Sequence, residues 1–386
     1  MKIVHIIEHF QPELGYQETF LCKEHAKLGH EVYMVTSDRC SNETYKTNKH
    51  ILINRIKGNG FFKEEGISVY RLRTFELPHF VWLFGLERTI KYIDPDLIIV
   101  HTIPNITAIR LAFLKNKQSK FKLIYDDHMV FKASISKLSI LYPVFKIFIS
   151  PLIQRKASAF VAVATTCATF MNMKYGIPLN KITILPLGAD NELFHFDDFA
   201  RQDLRKRYLV DDEVLFVYAG KIIPEKGPHL LIDAATHMKK NNNKFKILLV
   251  GRGPKDYLNA MKQRITITNN EQYFIWQDTV PNRELYKIYS AGDVAVWPRQ
   301  CSLSMLEAMA VGLPVIISDG SEVTERLRWD NGFSFRADDT EDLVRQMEKL
   351  LDPVLRKRMG ENGRRKVGNE FNWKFIASQF IELVKT

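Results

Sequence analysis

Short apolar runs alternate along this chain with stretches whose apolar residues recur every three or four positions, the pattern of buried strands alternating with amphipathic helices. Ile3 to Ile7, Glu31 to Thr36, Leu97 to Val100, Leu123 to Tyr125, Phe160 to Ala164 and Ile182 to Leu185 read as strands. Between them, Glu18 to Leu28 reads as a helix stopped by Gly29, and Phe145 to Lys156 as another, kinked at Pro151. From Asp190 to Asp212 the alternation lapses into a polar, charged stretch. It then restarts with Val214 to Ala219, Lys246 to Val250, Tyr273 to Trp276, Asp293 to Trp297 and Val315 to Ser318. This rhythm predicts an α/β protein of two doubly wound, Rossmann-like halves, residues 1–189 and 213–370, joined by a hinge over 190–212. The last helix, Trp373 to Lys385, sets Phe375, Ile376, Phe380, Ile381 and Val384 on one stripe, whose partner its own pattern does not identify.

Composition narrows the class. A chain of 386 residues with 46% hydrophobic positions buries ample core and favours two domains over one. The opening MKIVHIIEHF is interrupted by His5, Glu8 and His9 and has no cleavage signal, and the longest uncharged stretch, Ala157 to Met173, is short of a membrane span. Cys22, Cys40, Cys167 and Cys301 are scattered without a CxxC pair, which argues against a disulfide framework or a zinc site and fits a reducing cytoplasm. The net charge of +11 is concentrated: between Arg110 and Lys181 twelve Lys or Arg stand against Asp126 and Asp127 alone. Within that region, residues 131–156 mix lysines and an arginine with Leu138, Ile140, Leu141, Phe145, Ile147, Phe148 and Ile149. That mixture suits an anionic membrane surface, giving a peripheral protein on the inner membrane face; a core helix with a solvated basic face is the alternative. No nucleic-acid-binding signature accompanies the charge, so nucleic acid is not an expected partner.

The candidate chemistry sits after strands. Asp293 to Ile317 joins a strand halted by Pro298, a turn containing Ser302, Leu303 and Ser304, and a small-residue helix carrying Glu307. A helix start offers N–H groups at its positive end, which suits a diphosphate, and Glu307 one turn in suits sugar hydroxyls. Ser304-x-x-Glu307 is equally a capping box that merely satisfies the helix end. YAGKIIPEKG, Tyr218 to Gly227, leaves another strand and offers Lys221 and Lys226 as cations for a leaving phosphate, or as solvated loop lysines. Gly251-Arg252-Gly253 marks a tight turn. In the first half, Gly15 lies in the loop before the first helix and either lets the backbone approach a ligand or relieves the loop. His128 follows Asp126 and Asp127, one of which could orient its ring for a hydrogen bond to substrate or for proton transfer; no further ligand set makes this a metal site.

In order along the chain, the Gly15 loop, LGHEVYMVTS, His128, KYGIPLNKITILPLGADNELF, YAGKIIPEKG, LLVGRGP and EAMAVGLPVI resemble the GT-B-fold glycosyltransferases, specifically the family-4 retaining enzymes, over essentially the whole length. The resemblance implies two Rossmann-like domains facing across a cleft, with residues 371–386 returning to the N-terminal domain. It implies transfer of a sugar from a nucleotide-diphosphate donor, UDP- or GDP-linked, with retention of configuration and without metal or other cofactor. Lys221 and Lys226 would hold the diphosphate, with Gly220 beside them. Ser302, Leu303 and Ser304 would supply backbone amides, Glu307 would bind the ribose, Trp276 would lie along the base, Gly15 would close over the phosphates, and His128 would act near the donor sugar. The chain departs from the family's pattern in having Lys221 where arginine is common, Arg299 where a second glutamate is common, and Leu14 before Gly15 where a double glycine is common.

The expected activity is therefore hexosyl transfer to a lipid-linked or polysaccharide acceptor. A nucleotide-sugar epimerase on the same fold, or a non-catalytic sugar-nucleotide or glycan-binding protein, are the other readings. A dinucleotide-dependent dehydrogenase is disfavoured because no GxGxxG opens the first strand–helix unit.

Overall fold

A computed structural model describes residues 1–49, 51–129, 140–300, 303–319 and 324–385, the side chains of 324 and 325 excepted. The chain divides into two compact units, Met1–Leu187 with Trp373–Thr386, and Gly188–Asn372.

The first unit is built on an eight-stranded sheet of β1 (Lys2–Ile6), β2 (Glu31–Ser37), β3 (Gly60–Glu64), β4 (Ile67–Leu72), β7 (Leu97–His101), β8 (Lys122–Asp127), β9 (Ala159–Ala162) and β10 (Ile182–Ile184). Its order is β10-β9-β8-β7-β1-β2-β4-β3, parallel except for β3, and a separate hairpin pairs β5 (Thr74–Leu77) with β6 (Phe80–Leu83). Because side chains alternate along a strand, Val4, Ile6, Ile98, Val100, Leu123 and Tyr125 enter one core cluster. His5, His101 and Asp126 lie on the opposite parity of the same three strands, and all are buried. Helix Gln17–Lys27 brings Gln17, Glu18 and His25 into burial, and Trp373–Glu382 packs against that helix, with Phe20 and Trp373 stacked at 5.2 Å. The last helix buries Trp373, Ile376, Ala377, Phe380 and Ile381 within the first unit, whereas Phe375, expected on that stripe, is exposed and Val384 lies beyond the helix.

The second unit carries six parallel strands in the order β13-β12-β11-β14-β15-β16. These are β11 (Val214–Ala219), β12 (Phe245–Val250), β13 (Phe274–Gln277), β14 (Val294–Trp297), β15 (Val315–Ser318) and β16 (Gly332–Phe335). Numbered from its first strand this is 3-2-1-4-5-6, the doubly wound order in which the strand sequence reverses between β11 and β14. In the first unit the corresponding reversal falls between β1 and β7.

Residues 190–212, expected as a hinge, belong to the second unit. Asp198–Arg207 is a helix N-capped by Asp197, whose side chain accepts from Ala200 N. The reason is electrostatic. Arg201 and Arg205 reach across to Asp293 at 2.6 and 2.8 Å, and the Asp293 carboxylate also accepts from Leu215 N at 2.8 Å. The chain instead passes between the units at Leu187–Gly188 and at Asn372–Trp373. Burial opposes the Asp293 charge, but the two guanidiniums outweigh it and hold the carboxyl below its ordinary range. Removing one partner of such a network leaves the others partly buried and unpaired. Asp293→Ala is expected to destabilise the chain by about 3 kcal/mol in urea unfolding; a change below about 0.5 kcal/mol would mean that the network does not hold this helix.

Candidate functional site

In the second unit the candidate residues collect where β11 and β14 part company. Lys221 follows β11 and is exposed. Its loop is held from three sides. Tyr218 Oη donates to Lys221 O at 2.6 Å, Ile222 N donates to Arg252 O at 2.8 Å, and Gly220 N donates to Val250 O at 3.0 Å. The glycines of Gly251-Arg252-Gly253 make this possible. A Cβ on Gly251 would stand 2.0 Å from Gly220 O, and one on Gly253 would stand 1.9 Å from Ile222 O. That turn therefore lets two strand-end loops lie backbone to backbone. Gly220 has its amide committed to Val250, so what it offers a ligand is room.

Lys226 closes a short 3-10 turn, Pro224–Lys226, that ends on Gly227 in the left-handed region (φ 72°). Its ammonium donates to Gln300 O at 3.4 Å, tying this loop to the one after β14. Arg299 reinforces the tie: its Nη1 donates to Pro224 O at 2.7 Å and its Nε pairs with Asp338 at 2.7 Å. A Cβ on Gly227 would meet the Arg299 side chain at 2.8 Å. The arginine that replaces the expected glutamate thus lies across the lysine loop and clamps it.

After β14, Ser302 lies outside the described residues, and helix Ser304–Val311 starts beyond Leu303. The capping box is not formed. Leu303 holds the N-cap position without a side-chain cap, and the Glu307 carboxylate turns instead to Asn282, whose Nδ2 donates to it at 2.9 Å. Asn282 follows β13, a residue that the sequence reading missed; a polar residue after Pro281 was the only signal. Glu307 is 4% exposed. Burial pushes its carboxyl up to about 7, against the Asn282 hydrogen bond. A buried carboxyl with one amide partner is a group with hydrogen-bonding capacity in reserve. Trp276, by contrast, sits on the edge strand β13 with Lys262 Nζ 5.5 Å from its ring centroid.

In the first unit, Gly15 adopts φ 65° and caps the turn Pro12–Leu14, donating to Pro12 O at 3.2 Å. Its conformation is a left-handed loop closure, and among the described residues only the Phe20 ring, at 3.7 Å, approaches its Cβ position. The turn delivers Gln17, whose Nε2 donates to Asp126 at 3.0 Å. His128 Nε2 lies 3.3 Å from the same Asp126 oxygen, while Asp127 is spent on the backbone, accepting from Ile103 N and Met129 N. Asp126 is therefore the orienting carboxylate. The surroundings disfavour an imidazolium at His128, but Asp126, with Asp127 and Glu18, outweighs that and holds its pKa above the ordinary value. With Nε2 turned to Asp126, Nδ1 is the ring atom left for a substrate. Among the described residues no group of three His, Cys, Asp or Glu is arranged to hold a metal ion.

Comparisons with known proteins place the chain in a family. Residues 19–193 match the model of Glycosyltransferase Family 4 and residues 200–366 that of Glycosyl transferases group 1. The chain belongs to the family-4 glycosyltransferases and has their GT-B fold. Its relatives include an alpha-D-kanosaminyltransferase of Streptomyces kanamyceticus, 27% identical over 54% of this chain and 55% of that protein. Another is a GDP-mannose-dependent phosphatidylinositol monomannoside mannosyltransferase of Mycobacterium tuberculosis, 25% identical over 54% of this chain and 57% of that protein. The chain spans about half the length of these curated relatives. Among solved structures, HepE of Anabaena in complex with UDP aligns over 100% of both chains with a TM-score of 0.75 at 17% identity, a likeness of fold.

The Glu307 environment sets a pH dependence. Because its folded pKa is raised, the folded state holds a proton that the unfolded chain releases near the ordinary glutamate value. The stabilisation this gives is complete below the unfolded value and is lost as pH rises through about 7. Glu307→Gln removes that dependence. It is expected to be more stable than wild type at alkaline pH, by up to about 3 kcal/mol, and to match it in acid. Equal stability of the two proteins across the range, followed by chemical denaturation, would contradict a buried, uncompensated carboxyl.

Proposed function

We propose that this chain is a retaining glycosyltransferase that moves a hexose or related sugar from a nucleotide-diphosphate-sugar to a lipid-linked or polysaccharide acceptor in cell-surface glycan synthesis. The observation that carries the reading is the convergence of Lys221, Lys226, the start of helix Ser304–Val311 and buried Glu307 on one strand-order reversal. In open α/β sheets ligands bind there, beyond the carboxyl ends of the strands. The two lysines neutralise the diphosphate as its bond to the anomeric carbon breaks, and the helix start adds N–H groups. Glu307, once ionised, accepts from the ribose hydroxyls. The acceptor oxygen bonds to the anomeric carbon on the face the diphosphate leaves, and its proton passes to the departing phosphate oxygen. Positioning and phosphate stabilisation then supply most of the rate, and no metal is required of the protein. His128 meets substrate hydroxyls through Nδ1.

The donor is a UDP- or GDP-sugar. Support comes from relatives of both kinds: the mycobacterial enzyme is GDP-mannose-dependent and the Anabaena structure contains UDP. Lys226→Ala is expected to abolish transfer from the cognate donor while leaving the unfolding midpoint within a degree or two of wild type; wild-type turnover in this variant would remove Lys226 from the phosphate site.

We further propose that the chain works on an anionic membrane surface. No helix among the described residues is long and apolar enough to cross a membrane. The support is local and lies in the first unit. Ile140, Leu141, Val144, Ile147 and Phe148 are exposed on the helical segment leading to Ser150–Lys156, beside Lys146, Arg155 and Lys156. Tyr142 and Phe145 face the other way, onto Tyr175. The segment is thus both anchored and apolar outward, with cations at its sides. Binding to vesicles containing anionic lipid is expected, weakening as salt shortens the range of the charges. Replacing Ile147 and Phe148 by Asp should abolish it. Unchanged binding by that variant would place the contact elsewhere.

A further inference from the structure

Three histidines from three different elements are stacked into a continuous buried line in the first unit. His25, on helix Gln17–Lys27, puts Nε2 3.0 Å from Ala377 O on the C-terminal helix. Its Nδ1 lies 3.0 Å from Nε2 of His5 on β1. His5 Nδ1 lies 3.0 Å from Nε2 of His101 on β7, and the two rings stack with 9° between their planes. His101 Nδ1 lies 2.9 Å from Asp126 Oδ2 at the end of β8. His5 and His25 are fully buried and His101 is 4% exposed. The line ends on His128, which shares the same Asp126 oxygen.

Proton counting constrains this line. A carbonyl oxygen only accepts, so His25 must carry its proton on Nε2. Its Nδ1 then accepts from His5 Nε2–H, and His5 Nδ1 accepts from His101 Nε2–H. Three neutral imidazoles have now used their three protons. The fourth link, His101 Nδ1 to Asp126, still needs one. Placing that proton on the far oxygen of Asp126 does not help, because Oδ1 is buried without a partner. Oδ2, meanwhile, accepts from Gln17 and has a ring nitrogen of His101 and one of His128 within 3.3 Å, so it is placed as an acceptor. The extra proton belongs in the His101–Asp126 link.

We propose that His25, His5 and His101 form a buried relay that holds one proton more than three neutral rings and so fixes Asp126 as the ionised positioning partner of His128. The relay is anchored at its far end on the C-terminal helix. These three are positioning residues; the part His128 plays in transfer rests on the function proposed above. Burial pushes His5 well below its ordinary value and His25 down to about 4, which keeps both neutral and directs the proton toward Asp126. Burial alone would raise the Asp126 carboxyl, but the His128 and His101 rings outweigh it and hold it below the usual carboxylate range. Among the described residues, other titratable groups also stand near this line. Glu18, pushed up by burial, and Asp127 both face Asp126 and His128, Cys22 lies beside Glu18, and His30 meets His25 edge-on at 6.3 Å. None of them is one of the four links. Functionally, the extra proton partly cancels the Asp126 charge, so that His128 is oriented by the carboxylate without being locked as an imidazolium.

The test reads the histidines directly. Nitrogen-15 NMR of the full chain near neutral pH, with rings assigned by single substitution, should show His5 and His25 protonated on Nε2 alone and His101 protonated on both nitrogens. A His101 with one bare nitrogen overturns the relay. Two substitutions at His5 then separate proton count from packing. Gln can donate to His25 and accept from His101, so His5→Gln keeps the extra proton and should leave the His128 titration midpoint where wild type has it. His5→Phe breaks the line, releases the proton, and should raise that midpoint by about one unit as Asp126 becomes uncompensated. Equal midpoints in the two variants would reduce the histidines to packing. Should His5→Phe not fold, the wild-type spectrum and His5→Gln still decide. If the spectra are as expected but His128→Ala transfers sugar at the wild-type rate, the relay stands and the catalytic reading of His128 falls.

Discussion

The candidate site and the buried histidine line both depend on a constraint of parallel sheets. Where the strand order reverses, the chain segments leaving two neighbouring strands run to opposite faces, and the ends of those strands are left without a covering connection. In the second unit that place lies between β11 and β14, and it receives Lys221, Lys226, Arg299 and the start of the Glu307 helix. In the first unit it lies between β1 and β7, and it receives His5, His101 and, one strand further, Asp126. The same topological fact thus yields an open loop pair in one unit and a buried polar line in the other. The difference is what packs on them: helices Gln17–Lys27 and Trp373–Glu382 bury the histidines, whereas the β11 and β14 loops lean on each other and on the turn after β12.

That mutual support is achieved with backbone. Gly251 and Gly253 allow carbonyl-to-Cα approaches that no side chain would tolerate, so the lysine loop is placed by main-chain contacts on one side and by Arg299 on the other. A loop held this way is ordered before any ligand arrives, which would reduce the entropy lost on binding. Arg299 acts here as a clamp on the loop, paired with Asp338 and the Pro224 carbonyl.

Most strands were legible in the sequence because parallel strands buried on both faces are short, unbroken apolar runs. Val214–Ala219 and Val315–Ser318 are observed with the bounds that the pattern predicts. The antiparallel additions, β3 against β4 and β5 against β6, were not, since a run such as Gly60–Glu64 is half exposed and carries charge. The helix Asp198–Arg207 was missed for a similar reason: it is nearly all polar on its outer face, and the partner that fixes it, Asp293, is remote in sequence. Lys221, Lys226 and Glu307 stand out in the sequence because motifs carry them, but the contacts they make do not. Asn282 turning Glu307 away from a helix cap is a tertiary fact. The histidine line is the clearest case. His5 read as an interruption of an apolar run, yet a polar residue in the middle of a strand buried on both faces must have a partner, and that requirement was the available signal.

The claim at the centre of this account is that the β11–β14 reversal is a nucleoside-diphosphate site in which Glu307 changes its protonation. Isothermal titration calorimetry of UDP and GDP, run below pH about 7 in buffers of different ionisation heat, tests it most directly. One of the two nucleotides is expected to bind wild type with release of a proton, as Glu307 ionises onto the ribose hydroxyls, and to bind Lys226→Ala far more weakly. Binding of neither nucleotide, or binding that Lys226→Ala leaves undiminished and that releases no proton, would contradict it.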